Sequence, residues 1–363
     1  MFKNLRLGIK LGLGFGALIA ITCVLGLLSF VNMKSASTGS TKLADMYVPE
    51  VGKAMDVQQS TLATMLATRS FALSEEQKYW DQGVKGFEEL RGHLASAKEL
   101  ADKYPQLVKL RENVAKANAK VEEYSRLNDQ SKALVDGMTK HRADMDESAG
   151  LFMKNANAYL ESQNAKMAAQ IASRVAPAEL AERLQKITWV NQAIELGNDT
   201  RVKNFKAQSR RDPELFKSGL ANFAKINEAL DRMRAVTHQE DNLRQIETIR
   251  KEANDYREAM QGYLASWQSL QKLTAARTEA ANGLLDAAQA TANAGMAQTQ
   301  GIAHEAASSL GVSSWVTLVG LIVAVVLGAT VALVLTRAIT GPMARGVAFA
   351  TSVAGGDLSR TLD

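Results

Sequence analysis

The sequence predicts an all-α fold: an elongated pair of stacked four-helix bundles, built from about six long helices and flanked by two transmembrane helices. Three observations carry this expectation. Only 5 of the 363 residues are proline, so very long helices are permitted. Apolar residues recur three and four apart over most of the chain, as in Val84, Phe87, Leu90 and Leu94 or Leu243, Ile246 and Ile249, while alternating strand patterns are scarce. Two uncharged, mostly apolar runs stand near opposite ends, at 11–31 and 315–335.

Each run is long enough to cross a hydrocarbon layer, which takes about 20 helical residues. Lys3, Arg6 and Lys10 precede the first run, and Arg337 and Arg345 follow the second. Positive flanks of this kind place both termini in the cytoplasm and residues 32–314 outside. The formal charge of +5 is then mostly anchor charge. The outer segment is near neutral, which argues against a nucleic-acid partner. The expected organisation is a tail at 1–10, a span at 11–31, an outer helical domain at 32–314, a second span at 315–336 and a cytoplasmic portion at 337–363. Gly8, Gly12 and Gly16 form small-xxx-small steps that allow close helix contact.

The outer helices are expected near 35–74, 76–101, 105–173, 178–209, 213–236 and 239–314. Ser74-Glu-Glu-Gln77 has capping-box spacing, and Asp102-Lys-Tyr-Pro105 reads as a turn into a helix. Asp212-Pro213-Glu214 pairs an N-cap with proline at the first helical position. A shift of 136 residues superimposes Trp80, Gly83 and Phe87 on Phe216, Gly219 and Phe223, and Leu90 and Leu94 on Ile226 and Leu230. This points to an internal duplication, each copy supplying part of one module.

Candidate ligand-binding residues stand just upstream of the aromatic anchors. Thr68-Arg69 precedes Phe71, and Thr200-Arg201 precedes Phe205; Arg183, followed by Thr188 and Trp189, is a third candidate. Arginine beside an inter-helix pocket can clamp a carboxylate with its two-pronged fork. The ordinary alternative is a solvated helix charge. Catalytic and metal chemistry is not expected. His93, His141, His238 and His304 are scattered without ligand spacing, the single Cys23 lies in the first apolar run, and no phosphate loop or nucleophile elbow occurs. No cofactor is implied.

Past the second run, Gly341-Pro342 is expected to interrupt the helix. Ile339-Thr340-Gly341-Pro342 followed by Gly356-Asp357-Leu358 resembles the first helix and connector entrance of a HAMP domain, although Ala344 and Arg345 stand where an acidic residue is usual. Together with the start Met1-Phe2-Lys3-Asn4-Leu5, the two spans and the outer length, the chain resembles the sensory half of a bacterial methyl-accepting chemotaxis protein of the helical bimodular type. The resemblance implies several things: an inner-membrane homodimer, a di- or tricarboxylate ligand or a periplasmic binding protein, and signal relay through Pro342, Gly356, Asp357 and Leu358. It also implies a CheA/CheW-type complex reached only through a region beyond residue 363. The input half of a sensor histidine kinase or diguanylate cyclase, and a membrane-anchored structural coiled coil, are the alternatives.

Overall fold

The computed structural model describes residues 7–356; Asp357 and Leu358 of the expected relay lie outside the described residues. The chain is all-α. Among the described residues the order is α1 (Leu7–Lys42), one π-helical turn (Leu43–Tyr47), α2 (Val48–Ser74), α3 (Gln77–Lys103), α4 (Val108–Ala172), α5 (Pro177–Arg210), α6 (Pro213–Leu220), α7 (Asn222–Ala235) and α8 (Glu240–Ala354). Helix α4 has 65 residues and α8 has 115.

Most breaks fall where local chemistry places them. Pro177 opens α5 at a position that needs no amide donor. Asp212 caps α6, its Oδ1 accepting the amides of Glu214 and Leu215 at 3.0 Å each. Two details differ from expectation. The expected 213–236 helix is divided at Ala221; next to the division the Asn222 side-chain amide reaches α5, donating to Asp199 at 2.8 Å and Thr200 at 3.0 Å. Helix α8 also runs unbroken through Pro342. A single proline removes one amide donor, and the turns on either side keep their own bonds. Helix α8 stops instead at the glycine pair, where Gly356 adopts φ +91° and donates to the Val353 carbonyl at 3.1 Å.

The chain divides into two compact units. One contains residues 1–56, 95–114 and 288–363. Its apolar windows in α1 and α8 have mean hydropathies of 2.4 and 2.9, are exposed, and are long enough to cross a membrane. They meet through glycines: Gly14 lies against Val331 and Gly320 against Leu25. Ser29 and Thr317 share a hydrogen bond at 3.4 Å. A small core of Met46, Ala97, Ala101, Leu107, Leu110 and Val114 lies in the same unit.

The other unit contains residues 57–94 and 115–287 and holds the larger core. It shows one packing pattern twice. Gly83 is packed against Thr68, and Gly219 against the Thr200 turn of α5. Phe87 meets Tyr124 edge-on at 5.0 Å, and Phe223 meets Tyr256 edge-on at 5.4 Å. Each glycine lets a threonine-bearing helix approach closely, and each phenylalanine then closes on a tyrosine from a long helix.

Candidate functional site

Two helix ends in the larger unit converge on one cavity. After Ser74 the chain reverses through Glu75 at φ 60°, and after Arg210 through Arg211 at φ 55°. Both are left-handed conformations that cost a non-glycine residue about 1 kcal/mol. Each strained residue is tied in place. The Glu75 amide donates to the Phe71 carbonyl at 2.8 Å, and Arg211 Nη2 donates to the Leu73 carbonyl at 3.1 Å. The two side chains thereby line a cavity of about 650 Å³ together with α4 and α8. That volume suits a small-molecule ligand.

The lining is strongly cationic. Arg69, Arg142, Arg211 and Arg277 face it, with Glu75 as the one carboxylate among its lining residues. Trp267, Leu270, Tyr263 and Met138 supply an apolar wall. Arg142 is already satisfied: its fork donates to both Glu75 oxygens at 3.0 and 3.1 Å, and its Nε donates to Gln208 at 3.2 Å. The Glu75 bonds raise the Arg142 pKa, and the guanidinium sits 5.6 Å from the Tyr263 ring centre.

Arg277 is the opposite case. It is 3% exposed, and its Nε and Nη1 have no hydrogen-bond partner. Burial lowers its pKa, and the neighbouring Arg69 charge pushes the same way while Tyr124 opposes. A buried guanidinium without a counter-charge is expensive to hold. Arg69 stands nearby, exposed, on the α2 wall. The arrangement is therefore short of negative charge, and an anion with several oxygens fits the deficit.

Of the sequence candidates, Arg69 lines this cavity and Thr68 supports it from behind, sharing a 2.7 Å hydrogen bond with Tyr124. Arg201 is exposed and lies outside this cavity. Thr200 is buried and spends its hydroxyl on the Leu196 carbonyl at 2.8 Å, at the close approach to Gly219. The two copies thus differ in use. A shift of 132 residues aligns Thr68, Arg69 and Tyr124 with Thr200, Arg201 and Tyr256, and it places buried Met145 at the counterpart of Arg277. The second copy has no buried cation there; Asn204 meets the Met145 sulfur at 3.6 Å instead.

Arg183 belongs to a separate cationic group with Lys166 and Lys186. Its fork engages Gln163 and, at 3.0 Å, Gln170. Lys186, buried, pairs with Glu182 at 2.6 Å, and Lys166 donates to Asn242 at 2.9 Å. These cations already have partners. Trp189 is half-buried and packs on the larger core. Sequence reasoning missed Arg142, Arg211 and Arg277. Arg211 had a signal, since it sits beside the Asp212-Pro213 cap at a chain reversal. Arg277 had none, lying in an ordinary helical stretch of alanine, threonine and glutamate. No protein-family model matches this chain, and no curated protein matches it.

Proposed function

We propose that this chain is the input half of a transmembrane chemoreceptor, which binds a small polycarboxylate anion in the cavity of the larger unit and passes the event along α8. The observation that carries the reading is the buried, unpartnered Arg277 at a cavity ringed by three more arginines. A purely structural bundle gains nothing from an unpaired buried cation. An anion sensor gains affinity from it, because ligand oxygens supply the missing acceptors.

Helix α8 supports the transmission part. It contributes Tyr263, Trp267, Leu270, Thr274 and Arg277 to the cavity, and the same helix carries the second apolar window. On this reading, residues 11–31 and 315–336 anchor the chain in a bacterial inner membrane with both termini cytoplasmic, and 32–314 is periplasmic. The stretch after Arg337 is then the start of a HAMP-type relay, and a kinase complex would be engaged by regions after residue 363.

Thermal unfolding of the full chain in detergent, titrated with citrate, malate, succinate and acetate, tests the binding. A ligand at a hundred times its Kd stabilises by about 2.7 kcal/mol. The reading expects the di- and tricarboxylates to raise the midpoint and Arg277→Met to abolish the rise. It fails if none of the four acids shifts the midpoint, or if the shift survives in the variant.

A further inference from the structure

We propose that a groove between α4 and α8 of the larger unit binds an aliphatic diamine or polyamine, whose ammonium groups are held by Glu147, Glu252 and Glu258. The site is separate from the arginine-lined cavity and does not depend on its anion. Glycine contacts set the register of the two helices. Gly262 lies against the His141 ring and Gly283 against the Lys120 side chain, so the helices run antiparallel, with Ser148 level with Asp255 and Leu151 level with Glu252. Steps of three and four place Asp144, Glu147 and Ser148 on one face of α4, and Glu252, Asp255 and Glu258 on the side of α8 that meets it. The groove between them has a volume of about 430 Å³.

The charge of the groove is unbalanced. Five carboxylates line it against two lysines. Both lysines are spent, Lys140 on Asp144 at 2.8 Å and Lys251 on Asp255 at 2.7 Å. Glu147, Glu252 and Glu258 have no ion pair or hydrogen bond among the described residues. Glu252 decides the matter, because it is only 9% exposed. Lys251 feels the Glu252 charge but gives its hydrogen bond to Asp255. Ser148 is buried to the same degree, lines the same groove, and its hydroxyl has no partner among the described residues. A buried carboxylate and a buried hydroxyl that face a groove without donors leave acceptors for a ligand rich in N–H groups.

The layout selects the kind of cation. Among the described residues no three acidic or histidine side chains converge as a metal ion requires. The free carboxylates are strung along the groove instead. Glu252 and Glu258 are six residues apart on α8, which at the helical rise makes ~9 Å along the axis. Glu147 stands between those two levels on the α4 wall. An alkyl diamine of about four or five methylenes reaches both ends, each ammonium adding a charge-assisted bond of about 3 Å. Leu151 and Ala259 supply apolar surface along which the methylenes can lie.

Isothermal titration of the full chain in detergent tests the site, with 1,4-diaminobutane, spermidine, butylamine and magnesium chloride as probes. Salt at about 0.15 M screens loose attraction to an acidic surface. The diamine and spermidine are expected to bind about tenfold or more tighter than butylamine or magnesium, because their second ammonium engages at high effective concentration. Butylamine or magnesium binding as tightly as the diamine overturns the proposal, as does the absence of binding by both polyamines. Glu252→Gln keeps the shape of the side chain and is expected to weaken diamine binding about tenfold, the scale of one charge-assisted bond. Glu147→Gln, at an exposed position, is expected to weaken it severalfold without touching the fold. Glu161→Gln removes an exposed carboxylate of α4 outside the groove and is expected to leave binding unchanged. Equal loss in all three variants, or loss in none, overturns the assignment.

Discussion

Replacing Arg277 with methionine separates the cost of the buried cation from its use. The guanidinium is 3% exposed and leaves two nitrogens, Nε and Nη1, without acceptors. Each orphaned buried donor costs about 1–3 kcal/mol, and a buried ion retains an effective penalty of several kcal/mol after relaxation. Methionine keeps much of the aliphatic stem and adapts to irregular space, so little packing is lost. The net expectation is ~2 kcal/mol of added stability in the ligand-free protein. For a unit of this size that corresponds to a rise of about 4–8 °C in the unfolding midpoint. Circular dichroism melts of the full chain in detergent, with and without millimolar citrate, read both effects. The wild type should melt lower and respond to citrate; Arg277→Met should melt higher and not respond. Arg277→Lys retains the charge but loses the fork, so it should respond weakly. If Arg277→Met melts below the wild type without ligand, the guanidinium is a structural support and the reasoning is wrong.

Glu75→Gln removes the cavity's carboxylate and one side of the Arg142 fork. It should lower the melting midpoint by a few degrees and tighten citrate binding severalfold, readable by calorimetric titration. Glu50 is buried against Gly295 of α8, and burial raises its pKa from 4.5 to about 7. A raised folded-state pKa means stability is fully present below the ordinary value and is lost as pH rises through the folded one. The midpoint should therefore fall between pH 4.5 and about 7, and Glu50→Gln should flatten that part of a pH series. Asp212→Ala removes both amide caps of α6 and should cost about 1 kcal/mol in denaturant melts. Gly197→Ala places a methyl 2.5 Å from the Phe152 ring. Overpacking of a rigid aromatic, at about 1–3 kcal/mol, should outweigh the ~1 kcal/mol gain in helix propensity, giving a lower midpoint.

The helical architecture was legible because its causes are local. Three-and-four spacing, the Asp212-Pro213 cap and Pro177 act within a few residues of themselves. The division at Ala221 was not legible, since no proline, glycine or capping residue stands at it in the chain. Nor was the continuity of α8 through Pro342, where the local rule favoured a break. The site divides along the same line. Arg69 was found from its place just upstream of Phe71, as Arg201 stands upstream of Phe205, a signal written in the chain. Arg277 reads in sequence as one more solvated helix charge, and only the packing of α8 against the helices bearing Thr68 and Tyr124 makes it a buried cation. The repeat gave Arg69 and Arg201 equal standing, whereas the cavity distinguishes them. The deciding difference is that arginine stands at 277 and methionine at the corresponding 145.

That difference also bears on how binding could do work. A ligand shifts a conformational equilibrium only by its differential affinity for the two states, and moving a population from 1:99 to 99:1 takes about 5.5 kcal/mol. A cavity that already satisfies its own charges offers little differential, because the ligand replaces bonds that exist. Here Arg142 is spent on Glu75, whereas the Nε and Nη1 of Arg277 have no acceptor. On the proposed reading, the free protein carries a cost on α8 that a bound anion would relieve. Any alternative position of α8 that exposes Arg277 to water is favoured without ligand and disfavoured with it. The several kcal/mol attached to one buried ion is the right order to drive such a shift.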